Sequence, residues 1–206
     1  MLVMIYFCKW DGSVSSHDLL RRAVKEYLLS GETAALRSAS NPTIDPELDP
    51  EMNPRINPII ASIQDWRIVE RDGGKPYFPD HPGILFSVSH SGDYWVCAIA
   101  PEEVGLDLQE ENQTKRAEKL AKRFFHPHEQ AYLKSVDYRD FTRIWAAKES
   151  YLKYTGEGIA GGISHFSVVD PVTIDAVQTE ISFDKDYKMV LTTANSVEYR
   201  TEVLQK

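Results

Sequence analysis

The sequence predicts an α+β fold with mainly antiparallel strands, and three observations lead to that prediction. Short β-prone apolar runs occupy both ends of the chain. Three segments with helical periodicity lie between these strand-rich parts, at 115–125, 127–135 and 138–154. Two of the apolar runs flank Ser91-Gly92-Asp93, a turn sequence typical of a β-hairpin. Such a division of strands and helices is typical of α+β proteins.

The first part of the chain begins with a predicted strand and a predicted helix. Leu2–Cys8 is apolar and β-prone, and the turn residues Asp11-Gly12 end it. The next segment has apolar residues at helical spacing, with Ser16 as the predicted N-cap and Gly31 as the predicted helix end. Further β-prone runs predict strands at 65–71, 84–89 and 94–100.

Residues 41–60 form a repeat of five copies of Asn/Asp-Pro-x-aliphatic. Proline at every fourth position excludes a helix and a central strand. Asx-Pro pairs favour repeated turns instead. We interpret the segment as a low-complexity connector, and a docking or lid element is the alternative.

The second part of the chain begins with a predicted strand at 104–108 and continues with the three predicted helices. His126-Pro127-His128-Glu129 superficially resembles a metal-binding cluster, but no second ligand set has zinc spacing. We therefore interpret it as a helix start with polar capping residues. The final predicted strands lie at 165–169, 177–183, 188–193 and 197–203.

Composition limits the class of protein. The chain has 206 residues, of which 42% are hydrophobic and 26% charged, and the net charge of −8 argues against a general nucleic-acid binder. No apolar run approaches the roughly 20 residues that cross a membrane. The N-terminus has no basic lead and no small-residue cleavage site, and Cys8 and Cys97 have no CxxC partner. We therefore expect a cytoplasmic protein with two reduced, buried thiols.

The charge is unevenly distributed. Residues 113–153 carry ten Lys/Arg against five Asp/Glu, which makes this window +5 and the remainder −13. Helices with solvated basic faces are the simpler interpretation of this window. A surface for an anionic ligand or an acidic partner is the alternative, and charge alone does not decide between them.

The helical segment around residue 149 carries the first candidate site residues. Glu149 and Lys153 lie four residues apart, so they share one face of the predicted helix. A surface ion pair is the ordinary explanation of such spacing. The pair is surrounded by the aromatic residues Phe141, Trp145, Tyr151 and Tyr154, which indicate the wall of a half-buried cleft.

Asp107 lies in the apolar strand that begins at Val104. A carboxylate is costly to bury unless a cation or hydrogen bonds compensate it, and binding of a hard metal cation is one such compensation. Strand alternation places Asp107 and Gln109 on the same face. The alternative is an aspartate that caps the following segment.

Ser87–Gly92 combines hydroxyl groups, an imidazole and a flexible backbone, which suit phosphate oxygens. Ser89 and His90 are adjacent on a strand and point to opposite faces, so they are poorly placed as nucleophile and base of a hydrolase. Lys75 lies on a turn, where its ammonium group can meet a phosphate.

These segments, taken in order, resemble the 4′-phosphopantetheinyl transferase family, in particular its surfactin-synthetase-activator (Sfp-like) type. The resemblance spans about two-fifths of the chain, from Gly73 to Ile159. The segments that carry it are GKPY, SVSHSG, VGLDLQ, RFFHPHEQAYL and IWAAKESYLKYTGEGI.

The resemblance implies transfer of the 4′-phosphopantetheine of coenzyme A to a serine of an apo acyl-carrier or peptidyl-carrier protein, with release of 3′,5′-ADP. Asp107, Glu149 and Lys153 are the implied catalytic residues, with Glu149 as the base for the carrier serine. The implied Mg²⁺ ligands are Asp107, Gln109 and Glu149. The implied coenzyme A contacts are Lys75, Pro76, Ser89, His90 and Lys153.

The same resemblance implies two similar α+β halves in a pseudo-twofold arrangement, with coenzyme A between them. The expected halves are 1–103, which includes the connector 41–60, and 104–206. A monomer is expected. The acidic docking helix common among carrier proteins suits the +5 window.

The sequence departs from the family pattern at two places. Gln109 stands where the family often has a glutamate, which predicts weaker Mg²⁺ affinity. The N-terminal region is short, and Arg21, Arg22 and Arg37 are the candidates to hold the 3′-phosphate. One alternative is a non-catalytic relative that binds coenzyme A or the carrier. Another is an unrelated Mg²⁺-dependent nucleotide-binding enzyme, which would need a P-loop that the sequence lacks.

Overall fold

The computed structural model describes residues 1–30, 56–72, 74–111, 116–158 and 162–205. The strands in these residues are β1 (Leu2–Lys9), β2 (Val69–Glu70), β3 (Pro76–Tyr77), β4 (Leu85–Ser91), β5 (Tyr94–Ala100), β6 (Val104–Glu110), β7 (Val177–Ile181), β8 (Tyr187–Thr193) and β9 (Glu198–Val203). The helices are α1 (Ser16–Leu29), α2 (Ile56–Ser62), α3 (Ala117–Phe124), α4 (Pro127–Ser135) and α5 (Phe141–Thr155).

Two larger sheets and one short ribbon organise the strands. The first sheet has the order β4-β5-β1-β9, the second β6-β8-β7, and β2 pairs with β3. Every pairing is antiparallel except β1 with β9, which is parallel. The predicted α+β fold with mainly antiparallel strands is therefore confirmed. The division at 103/104 into pseudo-twofold halves remains a prediction, and β9 returns from the second half to the first sheet.

Both faces of the first sheet carry buried apolar side chains. On one face, Met4 and Ile99 pack in a cluster with Leu19 and Leu20 of α1. On the other face, Val3 and Val96 pack against a cluster that contains side chains of β6 and β8. Side chains of β1 and β5 point alternately to the two faces. One apolar layer therefore lies between α1 and the first sheet, and another lies between the first and second sheets.

The start of α1 differs by one residue from the prediction. Ser15, not Ser16, is the N-cap, because the Ser15 hydroxyl accepts a hydrogen bond from the Asp18 amide at 3.1 Å. Ser16 is the first helical residue, and its hydroxyl accepts a hydrogen bond from Trp95 at 2.8 Å. Gly31, the predicted helix end, lies outside the described residues.

The end of the Asx-Pro repeat is helical, which the sequence interpretation excluded. Residues 41–55 lie outside the described residues, but α2 begins at Ile56 and includes the whole last copy, 57–60. The prediction of a connector through residue 60 was wrong there because Pro58 occupies the first turn. An amide donor has no intrahelical acceptor in the first turn, so proline is tolerated.

The predicted strands at 65–71 and 165–169 differ most from the elements of the described residues. Of the predicted strand 65–71, only Val69–Glu70 pairs as a strand. Residues 63–65 form a 3₁₀ turn, and the Trp66 ring packs on the Phe78 ring with their centroids 5.2 Å apart. Segment 165–169 forms no strand. Three of its amide groups donate to side chains: Ser167 to Thr173 at 2.8 Å, Val168 to Glu129 at 2.9 Å and Val169 to Ser167 at 3.3 Å.

The interpretation of the His126 segment as a helix start is confirmed. His126 caps α4, and Glu129 accepts a hydrogen bond from the His126 amide at 2.9 Å. The last helix begins at Phe141 rather than at 138, since Asp137 and Tyr138 have left-handed backbone conformations. None of the helices in the described part of the chain has the length and apolar character of a membrane span.

Candidate active site

Strand β6 and helix α5 lie unusually close together, and Gly105 allows this approach. A Cβ atom at Gly105 would overlap the Ser150 carbonyl oxygen and would lie 2.5 Å from the Tyr154 amide nitrogen. Only a residue without a side chain fits against the helix backbone here. The approach brings Glu149 and Lys153 of α5 beside Asp107 of β6.

Asp107 is 2% exposed, and both oxygens of its carboxylate accept hydrogen bonds from polar side chains. Oδ1 accepts hydrogen bonds from Lys153 Nζ at 2.6 Å and from Ser89 Oγ at 2.8 Å. Oδ2 accepts one from Gln109 Nε2 at 2.8 Å. These contacts compensate the burial of the charge. The alternative of a simple capping aspartate does not describe this arrangement.

Lys153 forms its ion pair with Asp107 rather than with Glu149 of its own helix. The side chain of Lys153 is 28% exposed, so its ammonium group lies between the buried carboxylate and the solvent side. The i, i+4 surface pair suggested by the spacing is therefore not the contact that the structure shows. The lysine is oriented across the helix–strand junction.

Glu149 is half-buried and lies near two charged groups. Burial and the negative charge of Asp107 raise the pKa of Glu149 to about 7, and the opposite charge of Lys153 acts against this shift. Among the residues that the structure describes, no side chain donates a hydrogen bond to Glu149. A carboxylate with a pKa near neutrality and open oxygens can bind a cation or accept a proton.

A cavity of about 330 Å³ adjoins these groups. Four of the predicted site residues line it together: Lys75, Pro76, Glu149 and Lys153. The remaining lining residues are Gly74, Ser87, Val88, Leu152, Gly156 and Gly158. Asp107 joins this group through its ion pair with Lys153.

Lys75 brings a buried positive charge to the wall of the cavity. Its Nζ donates to Glu103 Oε2 at 2.6 Å and to the Val104 carbonyl oxygen at 3.0 Å. Burial lowers the pKa of Lys75, whereas Glu103 acts in the opposite direction.

The serines of β4 join the two sheets. The hydroxyl oxygens of Ser87, Ser89 and Ser91 accept hydrogen bonds from alternate amides of β6, at 2.9, 3.2 and 2.9 Å. The Ser89 hydroxyl also donates to Asp107. Ser89 is thus a structural neighbour of Asp107, and its predicted contact with coenzyme A remains a prediction.

His90 is not among the residues that line this cavity. It is exposed, on the opposite face of β4 from Ser89, and its ring packs against Trp10 with centroids 4.7 Å apart. The structure therefore does not bring His90 together with Asp107, Glu149 and Lys153. Its predicted contact with coenzyme A also remains a prediction.

Gln109 connects Asp107 to a second cavity of about 230 Å³. The other lining residues are Leu120, Phe141, Thr142 and Trp145. Because the amide nitrogen donates to Asp107, the amide oxygen is the atom available to a cation.

Of the basic candidates in the N-terminal region, Arg21 is held by the protein itself. Its guanidinium donates to Asp18 at 3.3 Å and to the Trp66 carbonyl oxygen at 3.0 Å. Arg22 is half-buried on α1. Arg37 lies outside the described residues.

Sequence reasoning missed a buried ion pair next to Glu149. Lys148 and Glu129 are both fully buried, and Lys148 Nζ lies 2.7 Å from Glu129 Oε2 and donates to the Phe166 carbonyl oxygen at 2.7 Å. The pair ties α4, α5 and the segment at 166–168 together. The signal for it was the position of Lys148 four residues after Ile144, on the apolar face of the helix.

The side chains fit a hard divalent cation in part. Within the described ranges, no group of three or more His, Cys, Asp or Glu residues is arranged to hold a metal ion. Asp107 and Glu149 nevertheless repel each other, and Glu149 has open oxygens. A cation held by Asp107, Glu149 and the Gln109 amide oxygen would relieve that repulsion, with further oxygen ligands from a bound phosphate compound.

Comparison with known proteins shows which family this part of the chain resembles. The family described as the 4′-phosphopantetheinyl transferase superfamily matches residues 103–203, which include Asp107, Glu149 and Lys153. A 4′-phosphopantetheinyl transferase of Bacillus subtilis is 38% identical over 101 residues, covering 46% of this chain and 43% of the relative.

Two other relatives show the same extent of similarity. The transferase HetI of Nostoc sp. is 42% identical over 95 residues, covering 42% of this chain and 40% of HetI. The transferase Sfp of Bacillus subtilis strain 168 is 33% identical over 108 residues, covering 50% and 47%. The matched part of the chain thus spans less than half the length of these curated relatives. Residues 103–203, which contain Asp107, Glu149 and Lys153, are thus similar to the 4′-phosphopantetheinyl transferase superfamily.

Proposed function

We propose that this protein transfers the 4′-phosphopantetheine of coenzyme A to a serine of an apo acyl-carrier or peptidyl-carrier protein. The observation that carries the proposal is the meeting of Asp107, Glu149 and Lys153 at a cavity whose wall also contains Lys75. Phosphoryl-type transfer requires cationic groups near the phosphate oxygens and a positioned alcohol, and this arrangement supplies the former. The names of the relatives support the same reaction.

The chemistry assigns a separate task to each group. Lys75 and Lys153 bind oxygens of the coenzyme A pyrophosphate. Glu149 accepts the proton of the carrier serine, whose oxygen forms a bond to the β-phosphorus. The bond from that phosphorus to the bridging oxygen breaks, and 3′,5′-ADP leaves with the bridging oxygen. Lys153 offsets the charge that develops on the leaving group.

Magnesium is part of this proposal. Asp107, Glu149 and the amide oxygen of Gln109 would hold Mg²⁺, which neutralises pyrophosphate charge. Asp107 keeps Lys153 in place through their 2.6 Å contact. Without a bound cation the pKa of Glu149 is about 7; Mg²⁺ would lower this pKa and keep the carboxylate ionised, in the form that a base needs.

The carrier protein is proposed to dock on the basic window of the chain. Arg116, Lys119 and Arg123 are exposed on or next to α3. An acidic docking helix complements these charges. Charge reversal at the three positions should raise the apparent KM for the carrier and leave the KM for coenzyme A unchanged. An unchanged carrier KM would exclude this docking surface.

We further propose that the protein acts as a monomer in the cytoplasm.

Intact-protein mass spectrometry tests the reaction directly. Apo acyl-carrier and apo peptidyl-carrier proteins are incubated separately with the protein, coenzyme A and Mg²⁺. We expect a gain of one phosphopantetheine mass that disappears in Glu149→Gln. The matched control is Glu198→Gln, which neutralises an exposed carboxylate on β9 and should retain activity.

A non-catalytic relative is the second candidate, because Gln109 supplies no charge at the metal side of Asp107. Coenzyme A binding measured by calorimetry, together with no mass gain on either carrier, would favour it. Absence of both binding and mass gain would reject the transferase and this alternative together.

A further inference from the structure

Glu103 bridges two cations beside the cavity. Its Oε2 accepts a hydrogen bond from Lys75 at 2.6 Å, and its Oε1 accepts one from Arg71 at 2.8 Å. The Glu103 side chain is 35% exposed, whereas that of Lys75 is 8% exposed. The carboxylate therefore neutralises part of the positive charge that faces the cavity.

An anion bound by Lys75 would come close to this carboxylate. Lys75 lines the cavity, and its ammonium group lies 2.6 Å from Glu103. An oxygen that accepts another hydrogen bond from the same ammonium lies at most about 5.5 Å from Glu103 Oε2, which is the sum of two hydrogen-bond lengths. Two negative charges at that distance repel each other appreciably at a protein surface.

We propose that Glu103 sets the affinity of the cavity for phosphate ligands by opposing their binding to Lys75. This inference rests on the proposed function, because it takes the pyrophosphate of coenzyme A as the ligand of Lys75. Glu103 thereby acts on affinity for the substrate and takes no part in bond formation.

The opposite role, in which Glu103 is needed to hold the cations in place, is disfavoured by their other contacts. Lys75 retains its hydrogen bond to the Val104 carbonyl oxygen at 3.0 Å. The Arg71 guanidinium lies over the Tyr77 ring, 5.3 Å from its centroid. Backbone hydrogen bonds from the Arg71 amide to the Lys75 carbonyl, and from the Gly74 amide to the Arg71 carbonyl, hold the turn itself.

Glu103→Gln tests the inference because it removes the charge and keeps an oxygen that can accept from Lys75. Calorimetry with coenzyme A and, separately, with inorganic pyrophosphate should show binding about three- to tenfold tighter than to the native protein, as expected for removing one like charge at this distance. Glu103→Asp, which keeps the charge, should not bind either ligand more tightly. The matched control is Glu102→Gln, an equal charge change at the exposed neighbouring position, with an expected effect below about twofold.

The outcomes separate this inference from the proposed function. Tighter pyrophosphate binding by Glu103→Gln supports the inference, even if the native protein neither binds coenzyme A nor modifies a carrier, in which case the proposed function fails. Unchanged or weaker pyrophosphate binding overturns the inference, even if transfer is observed. Equal tightening in Glu102→Gln or Glu103→Asp also overturns it, because contact of the Glu103 charge with Lys75 would not be the cause.

Discussion

Replacing Glu149 by glutamine should stabilise the cation-free protein increasingly as the pH rises from 5 to 8. The carboxylate of Glu149 is half-buried and lies near Asp107, and together these raise its pKa from 4.5 to about 7. A raised carboxyl pKa means that the folded protein holds the proton that the unfolded chain has already lost. Stability is therefore lost as the pH rises between these two values.

The magnitude follows from the shift. One pKa unit corresponds to about 1.4 kcal/mol, so the full shift corresponds to about 3 kcal/mol of folding free energy. Solvent screens a half-buried carboxylate in part, and some of the loss has already occurred at pH 5. The stability difference between Glu149→Gln and the native protein should thus grow by about 2 kcal/mol between pH 5 and pH 8.

Urea denaturation followed by circular dichroism, in the presence of a chelator, measures this difference. Contributions from titrating groups that are distant from Glu149 cancel when the variant and the native protein are compared at each pH. Glu198→Gln, on the exposed strand β9, is the control and should show no pH-dependent difference. If the stability difference between Glu149→Gln and the native protein were the same at pH 5 and pH 8, the reasoning would be refuted, because the pKa of Glu149 would then not be raised in the folded protein.

Two further substitutions test the framework around the site. Gly105→Ala should destabilise the protein by about 3 kcal/mol in urea denaturation, because the added Cβ would overlap the backbone of α5. A loss of stability below about 1 kcal/mol would contradict the close packing of β6 and α5. Ser89→Ala removes an acceptor from the Leu108 amide and a donor from Asp107, and should cost about 1–3 kcal/mol by the same measurement. Native-like stability with weakened coenzyme A binding in calorimetry would instead assign Ser89 to the ligand.

The elements that could be predicted from the sequence depend on neighbours within a few residues. The residues of α4 were predicted without error because Pro127 and the capping pair of His126 and Glu129 are local signals. The β4–β5 hairpin was predicted for the same reason, since Gly92 supplies the left-handed conformation of the turn. Short-range patterns contain this information directly.

The elements that were missed depend on partners far along the chain. Segment 165–169 has the composition of a strand, but Glu129 takes the Val168 amide from some forty residues away. Likewise, nothing local indicates that β9 pairs in parallel with β1. β-propensity indicates that a segment suits a pleated surface, but it does not identify the strand with which the segment pairs.

The same distinction applies to the candidate site. The three residues that the resemblance implied as catalytic lie together in the structure, with Lys153 paired to Asp107 and Glu149 near both, and their roles remain a prediction. Neither the bonding of the β4 serines to β6 nor the contact of Glu103 with Lys75 followed from the sequence. Both depend on which strand lies next to β6, and this is set by packing of the two sheets.

Charge balance around the cavity leads to a last prediction. Among the residues that the structure describes, the ion-paired and coupled charges beside the cavity are the cations Arg71, Lys75 and Lys153 and the carboxylates Glu103, Asp107 and Glu149. These six groups sum to zero when all are ionised. The pyrophosphate of coenzyme A adds two negative charges, which should raise the pKa of Glu149 above 7 and make the complex take up a proton near neutral pH.

Mg²⁺ would offset the two added charges and keep Glu149 ionised, in the form that can accept the proton of the carrier serine. Calorimetry at pH 7.5 in buffers of different ionisation enthalpy counts the protons taken up on binding. We expect uptake of a large fraction of one proton when coenzyme A binds without Mg²⁺, much less with Mg²⁺, and none attributable to this group in Glu149→Gln. Equal uptake with and without Mg²⁺ would show that the cation does not act on Glu149, and another residue would then have to serve as the base.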